Sequence, residues 1–202
     1  MFSFNHQDIE VVSKRPVYQG FFKLDEYRFK HRLFAGGWSN EVAREIYQRS
    51  DAVAVLPFDV KRNELVLIEQ LRIGAIQGHN SPWLLECIAG MIEPGEEALD
   101  VCRREAQEEA GLELGRIHKA LSYLSSPGGT TERLHIYIAE VDAQNAGGIH
   151  GLDDENEDIL VHRVSVEQAY GLLEQGKIDN ASTVIALQWL ALNKGKLIEQ
   201  WS

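Results

Sequence analysis

The sequence is poor in cysteine and has no long apolar run, and both shortages exclude classes of protein. Cys87 and Cys102 are its two cysteines in 202 residues, and they do not form a CxxC pair. A disulfide-stabilised secreted scaffold is therefore excluded, and we predict that both thiols are reduced and buried. No apolar stretch reaches the length of a membrane span, and residues 1–14 contain charged residues where a signal peptide would be apolar.

The chain also has little positive charge. It contains 20 Lys and Arg residues against 31 Asp and Glu residues, which gives a formal net charge of −11 at pH 7. Nucleic acids and anionic membranes select basic surfaces, so neither is expected as a partner. A hydrophobic content of 44% is enough for a core, and we predict a cytoplasmic enzyme.

Runs of alternating or β-branched residues predict strands over most of the chain, separated by polar and glycine-rich turns. The runs cover residues 9–13, 17–34, 41–49, 52–58, 65–71, 83–89, 119–124, 134–141 and 159–164. A change of composition near residues 48–52 predicts two units. These are a small β unit of residues 1–49 and a larger α/β domain of residues 50–202.

Three helices are predicted. The first covers residues 97–110, because this stretch has no Gly or Pro and is followed by Gly111, where a left-handed cap is expected. Its buried stripe is predicted to consist of Leu99, Cys102, Ala106 and Ala110. The second helix begins at Ser165, with Gln168 in the capping-box position, and the third begins near Asn180.

The most informative stretch covers residues 90–112 and reads GMIEPGEEALDVCRREAQEEAGL. Glu105, Glu108 and Glu109 share one face of the first predicted helix, because they are three and four positions apart. A solvated acidic face tempered by Arg104 is one interpretation. Clustered carboxylate oxygens with few nitrogen or sulfur donors nearby also suit a hard cation such as Mg2+, which typically bridges to substrate phosphates. The second interpretation implies a phosphate-bearing substrate.

The spacing of this stretch resembles the Nudix box, GX5EX7REUXEEXGU, at every defined position. The matching residues are Gly90, Glu96, Arg104, Glu105, Ala106, Glu108, Glu109, Gly111 and Leu112. The resemblance implies an α/β fold, an α/β/α sandwich with a mixed central sheet. It also implies that Gly90, Arg104 and Gly111 support the structure of the box.

A second resemblance narrows the family to one branch. The segment SSPGGTTER, residues 125–133, places Pro127 about fifteen residues after the box, as in the ADP-ribose pyrophosphatases. The resemblance covers nearly all of residues 9–202. It implies metal-dependent hydrolysis of the pyrophosphate bond of ADP-ribose to AMP and ribose 5-phosphate. It also implies a homodimer with a shared active site, in which the small N-terminal antiparallel β units are exchanged.

The same resemblance assigns roles to individual residues. The implied cofactor is Mg2+, or alternatively Mn2+ or another divalent ion, with more than one ion per site. The implied metal ligands are the Ala89 carbonyl, Glu105, Glu109 and Glu157, with Glu96 and Glu108 as further candidates. Glu155, in the acidic loop of residues 151–158, is the implied general base, and Glu157 could exchange roles with it. The implied substrate contacts are Phe21, Phe22, Arg44, Glu45, Arg49, Arg72, Met91, Ser126, Pro127, Gly128 and Glu132.

These contacts belong to different parts of the substrate. Arg72 is implied to bind phosphate, while Arg44, Glu45 and Arg49 of the partner subunit read the adenine end. Phe21 is a stacking candidate. The terminal ribose side is implied to be lined by Ser126, Gly128 and Glu132.

Simpler structural interpretations stay open for several of these features. The acidic loop has the composition of a solvated mobile loop, residues 126–129 that of an ordinary turn, and Phe21 that of a core residue. His135 and His162 lack ligand spacing and are interpreted as structural. Two rival functions also stay open. The first is a diphosphatase of another sugar nucleotide. Residues 126–129 argue against GDP-mannose as its substrate but not against ADP-sugars. The second is a non-hydrolytic nucleotide-sensing Nudix module.

Overall fold

A computed structural model describes residues 3–78 and 81–202. Met1 and Phe2, which the predicted N-terminal unit includes, lie outside the described residues. The chain divides into two compact units. One consists of the chain up to Asp51 together with Leu124–Arg133, and the other of Ala52–Tyr123 and Leu134–Ser202. The sequence pattern did not indicate that Leu124–Arg133 joins the N-terminal unit.

The first unit contains a three-stranded antiparallel sheet ordered β1 (Ile9–Gln19), β2 (Lys23–His31) and β3 (Val42–Gln48). The run predicted over residues 17–34 is two strands rather than one. The chain reverses at Gly20, whose amide donates to the Phe22 carbonyl over 2.9 Å.

The second unit is built on a mixed sheet, in which the described residues form eight strands. Its continuous path is β10 (Gly148–His150), β11 (Ile159–Ser165), β5 (Glu64–Leu71), β4 (Ala52–Asp59), β9 (Arg133–Glu140) and β8 (Ile117–Leu124). Strands β4 and β9 are parallel. The run predicted over residues 83–89 is interrupted at Cys87, because β6 (Trp83–Glu86) pairs with β5 whereas β7 (Ile88–Met91) pairs with β4.

Helices cover both faces of this sheet. Helix α1 (Ala98–Ala110) covers one face, and α2 (Val166–Glu174) and α3 (Ala181–Trp201) cover the other. Alternate residues of a strand face opposite sides, so β4 sends Val53 and Val55 towards α1 while Ala54 and Leu56 pack with α2 and α3. The predicted α/β sandwich with a mixed sheet is confirmed.

The helix predictions are largely confirmed, with one correction. Gly111 ends α1 with a left-handed backbone (φ 61°, ψ 28°), and Ser165 and Gln168 form the expected capping box at the start of α2. Leu99 is not part of the buried stripe of α1, since it is 47% exposed. Full burial begins at Val101, and in the first turn Ala98 rather than Leu99 packs against the core.

Both cysteines are free and buried, as predicted. Burial raises the pKa of each thiol to about 12, so both are protonated at neutral pH. Among the helices of the described residues, none combines the length and hydropathy that crossing a bilayer would require.

Candidate functional site

Arg104 organises the acidic face of α1. Its Nη1 lies 2.8 Å from Glu105 Oε1 and 3.1 Å from Glu108 Oε2, and its Nε lies 3.3 Å from Glu96 Oε1. Burial acts to lower the pKa of Arg104, but the three carboxylates outweigh it and raise the pKa above its ordinary value. One guanidinium therefore holds three glutamates of the box in place.

Gly90 allows β7 to approach α1 closely. A Cβ at this position would overlap the carboxylate of Glu105, so the side chain of Glu105 lies directly on the Gly90 backbone. Next to it, the Ala89 amide donates to Glu109 Oε2 over 3.0 Å. The backbone at residues 89–90 and the carboxylates of Glu105 and Glu109 are thereby brought to one place.

Burial and mutual repulsion make these carboxylates hard to ionise. Glu109 is 3% exposed, and burial raises its pKa to about 8 although the Ala89 amide opposes the shift. Burial likewise raises the pKa of Glu105 to about 7, with Arg104 opposing and Glu108 and Glu157 adding to the shift. A cation among these carboxylates would offset both costs.

The donor set fits a hard divalent cation. Glu105 and Glu109 lie one turn apart on α1, and the groups gathered around them offer carboxylate and carbonyl oxygens. In the parts of the chain that the structure describes, no three His, Cys, Asp or Glu side chains already stand in a metal-binding arrangement. Glu105 and Glu108 instead pair with Arg104, and Glu109 accepts from the Ala89 amide.

The acidic loop brings Glu157 towards the box. The charge of Glu157 contributes to the raised pKa values of both Glu105 and Glu109. Its carboxylate accepts from the Leu152 amide over 3.3 Å, and its own amide donates to the Leu152 carbonyl. Glu155 closes a short 3-10 turn in the same loop and is exposed.

Gly151 attaches this loop to α1, and this role of Gly151 was not predicted from the sequence. Its amide donates to the Glu108 carbonyl over 3.2 Å. Its φ of 106° favours glycine, and a Cβ there would lie 2.7 Å from Glu157 Cβ. A glycine immediately before an acidic run was the available signal.

Arg72 and Met91 complete the predicted residues of the second unit. Arg72 Nε lies 2.7 Å from Glu86 Oε2, and its charge also acts on Glu109. Burial raises the pKa of Glu86 although Arg72 opposes the shift. Met91 ends β7 and is 43% exposed. Glu86, which holds Arg72 in place, was not predicted.

Several predicted substrate contacts lie together in the first unit. The Arg49 guanidinium lies over the Phe22 ring, 5.5 Å from its centroid, and its Nε forms an ion pair with Glu132 Oε1 at 3.0 Å. Phe21 contacts Phe22 edge to face and is 86% exposed, which contradicts a core role.

The remaining contacts are spread over β3 and one turn. Arg44 and Glu45 are exposed on β3, where Arg44 donates to the Ala43 carbonyl. Ser126, Pro127 and Gly128 form an exposed turn, closed by amides of the next two residues that donate to the Ser126 carbonyl. This turn is joined to β3 because the Tyr47 amide donates to the Gly129 carbonyl.

Comparison with known proteins defines the class of this site. The family model for the NUDIX domain matches residues 48–187. The chain belongs to the Nudix family and is a hydrolase of that class. A crystal structure of an ADP compounds hydrolase superimposes with a TM-score of 0.74 at 21% identity, covering 96% of this chain and 98% of that one, which supports the fold.

Within the family, the chain belongs to the branch of bacterial ADP-ribose pyrophosphatases. It is 58% identical to the ADP-ribose pyrophosphatase of Escherichia coli (strain K12), over 99% of this chain and 96% of that protein. It is 50% identical to the ADP-ribose pyrophosphatase of Haemophilus influenzae, over 98% of this chain and 93% of that protein. A GDP-mannose pyrophosphatase of Escherichia coli O1:K1 is 37% identical over 74% of the chain and 78% of that protein.

Proposed function

We propose that the chain hydrolyses the pyrophosphate bond of ADP-ribose to AMP and ribose 5-phosphate in the cytoplasm. The observation that carries the substrate is the 58% identity to an ADP-ribose pyrophosphatase along almost the whole of both chains. The carboxylate face of α1, held against the Ala89–Gly90 backbone, supports the reaction type.

In this proposal Glu105, Glu109, Glu157 and the Ala89 carbonyl would hold the divalent metal ions, with Glu96 and Glu108 as further candidates. Bound Mg2+ would neutralise the diphosphate, lower the pKa of water and stabilise charge on the leaving oxygen. Gly90 keeps Glu105 beside the strand backbone, and Arg104 holds Glu96, Glu105 and Glu108 until the ion binds.

Glu155 takes the proton from the attacking water. It lies two residues from Glu157, and its exposure leaves the carboxylate free to approach bound substrate. Arg72, positioned by Glu86, binds a phosphate oxygen. Met91, exposed at the end of β7, contacts substrate near the metal site.

The first unit supplies the remaining substrate contacts, of which Arg44, Glu45 and Arg49 come from a second subunit. Phe21 and Phe22 offer aromatic faces, and Arg44, Glu45 and Arg49 read the adenine end. The turn at Ser126, Pro127 and Gly128, with Glu132, lines the terminal ribose side. A homodimer with exchanged N-terminal units also explains why β1 is exposed at every position.

A panel of ADP-ribose, ADP-glucose, other ADP-sugars and GDP-mannose tests this proposal. Each substrate is incubated with the protein and Mg2+, and the release of nucleoside monophosphate and sugar phosphate is measured. We expect the highest kcat/KM for ADP-ribose. A higher value for another ADP-sugar would support the rival diphosphatase, and hydrolysis of none of them would favour a sensing module.

A further inference from the structure

His150 occupies the last position of β10, directly before the acidic loop of residues 151–158. Strand β10 lies at the edge of the sheet and pairs there with β11. His150 is half-buried and lines a cavity of about 540 Å3. Because the residue borders open space, removal of its ring should leave the hydrophobic core on both faces of the sheet intact.

Two contacts with the backbone hold the imidazole ring. Its Nε2 lies 3.0 Å from the Gly147 carbonyl oxygen, and Nε2 is the donor because a carbonyl oxygen only accepts. Its Cε1 lies against Gly111, so closely that a Cβ at position 111 would be only 2.7 Å away. The glycine that ends α1 therefore also forms the surface on which the ring lies.

The next residues continue the attachment to α1. The Gly151 amide donates to the carbonyl of Glu108, in the last turn of α1. The loop then closes on itself, because Leu152 and Glu157 are joined by two hydrogen bonds. The chain that leads to Glu157 is thus attached to the end of α1 by the ring of one residue and the amide of the next.

We infer that His150 is a positioning residue for the acidic loop. Its ring, held by Gly147 and Gly111, fixes where the loop leaves the end of α1 and so places Glu155 and Glu157 relative to the box. The inference rests on the roles proposed for these two glutamates. It also gives Gly111 a second role besides the left-handed cap, because a methyl group there would displace the ring.

Amide hydrogen exchange in the metal-free protein, followed by NMR, tests the positioning without any turnover. In His150→Ala the amides of Gly151 and Glu157 should exchange about three- to tenfold faster, because the ring no longer holds the start of the loop. His150→Gln should restore most of the protection, since its amide can donate to the Gly147 carbonyl. His118→Ala is the matched control, a half-buried histidine on the opposite edge strand β8, and should exchange like wild type.

Kinetics of the same variants test what the position of the loop does. In His150→Ala we expect kcat for ADP-ribose to fall about tenfold or more, because the proposed base is misplaced. The Mg2+ concentration for half-maximal activity should rise, because Glu157 moves with the loop, while KM changes less than about twofold. A loss of folded protein would lower kcat alone, and His150→Gln should recover both constants in part.

Two glycines with the same backbone conformation isolate the contact between the ring and α1. Gly111 and Gly176 have φ values of 61° and 65°, but a Cβ at position 176 meets no atom within 4 Å. Alanine should strain both backbones similarly, so only Gly111→Ala should speed exchange in the loop and lower kcat. In a His150→Ala background, Gly111→Ala should add little to either effect.

Several results would overturn the inference. Unchanged loop exchange in His150→Ala, or an unchanged kcat and Mg2+ requirement, would mean that the ring does not position the reacting groups. Faster exchange throughout the chain, with a lower Tm, would indicate a general structural role. Equal effects of Gly111→Ala and Gly176→Ala would exclude the contact with α1. If wild type failed to hydrolyse ADP-ribose, the proposed function would fall, whereas the exchange rates would still decide whether His150 holds the loop.

Discussion

Single carboxylates at the site are held in environments that oppose their ionisation. Glu109 is almost fully buried, and its carboxylate accepts a hydrogen bond from one backbone amide. An ionised carboxylate in water would accept more hydrogen bonds than this. Its pKa of about 8 and that of Glu105 at about 7 express this cost. Positive charge beyond that of Arg104 and Arg72 would reduce this cost, and the proposed ions would provide it.

Glu109→Gln should abolish turnover without unfolding the protein. The amide keeps the shape of the side chain but removes the charge that holds the proposed ion. We expect kcat to fall by several orders of magnitude. Steady-state kinetics at saturating Mg2+ and thermal denaturation measure the two effects. Near wild-type activity would place the metal elsewhere.

The same residue should make the stability of the metal-free protein depend on pH. The unfolded chain loses the proton of Glu109 near pH 4.5, whereas the folded protein keeps it until about pH 8. The contribution of Glu109 protonation to the free energy of unfolding is therefore complete below pH 4.5 and is lost as the pH rises through 8. Thermal denaturation in a chelator between about pH 5 and pH 9 should show a steeper decline for wild type than for Glu109→Gln. Glu199→Gln, exposed on α3, should behave like wild type.

The two glutamates of the acidic loop should give different phenotypes. Glu155→Gln removes the proposed base, so kcat should fall about 10²–10⁴-fold with KM little changed. Glu157→Gln should instead raise the Mg2+ concentration needed for half-maximal activity, because Glu157 lies in the field of Glu105 and Glu109. Reversed phenotypes in Mg2+ titrations would exchange the two roles.

At the scale of elements, the site depends on close approach between α1, β7 and the loop after β10. Two glycines make this possible because they have no side chain. Gly90 lies against Glu105, and Gly151 lies against Glu157. Gly90 is a defined position of the box and was predicted from sequence. For Gly151 the sequence offered only its place before an acidic run, because its partner Glu108 is brought near it by the folded chain.

Gly90→Ala tests this close approach. The new methyl group would displace the Glu105 carboxylate, so we expect activity to fall more than about tenfold and the Mg2+ requirement to rise, with the fold retained. Gly195→Ala is the matched control, because a Cβ there meets no atom within 4 Å. Equal activities of the two variants would show that Glu105 does not need its present position.

At the scale of the whole molecule, the first unit exposes apolar side chains that a small sheet cannot cover. Phe34 is 88% exposed, and Phe21 and Tyr18 are exposed as well. Units of this size rarely bury enough surface on their own. This exposure is the structural reason for the proposed dimer.

The full-length protein should therefore sediment as a dimer at micromolar concentration. Removal of residues 1–49 should give a poorly soluble or monomeric protein that binds ADP-ribose weakly, although the box is intact. The deletion also removes Tyr47, which hydrogen-bonds Gly129 and Thr131 and so supports the turn proposed to contact ribose. A fully active monomer would refute the shared active site.

The sequence by itself determined the family and the box helix with its Gly111 cap, because these depend on spacings within a short stretch of chain. Only the tertiary structure decided which groups meet across distant segments. In the folded chain Glu109 is buried and Leu99 is exposed, and residues 124–133 belong to the first unit. Burial and hydrogen bonding depend on neighbours from other strands, and a pattern along one strand does not contain those neighbours.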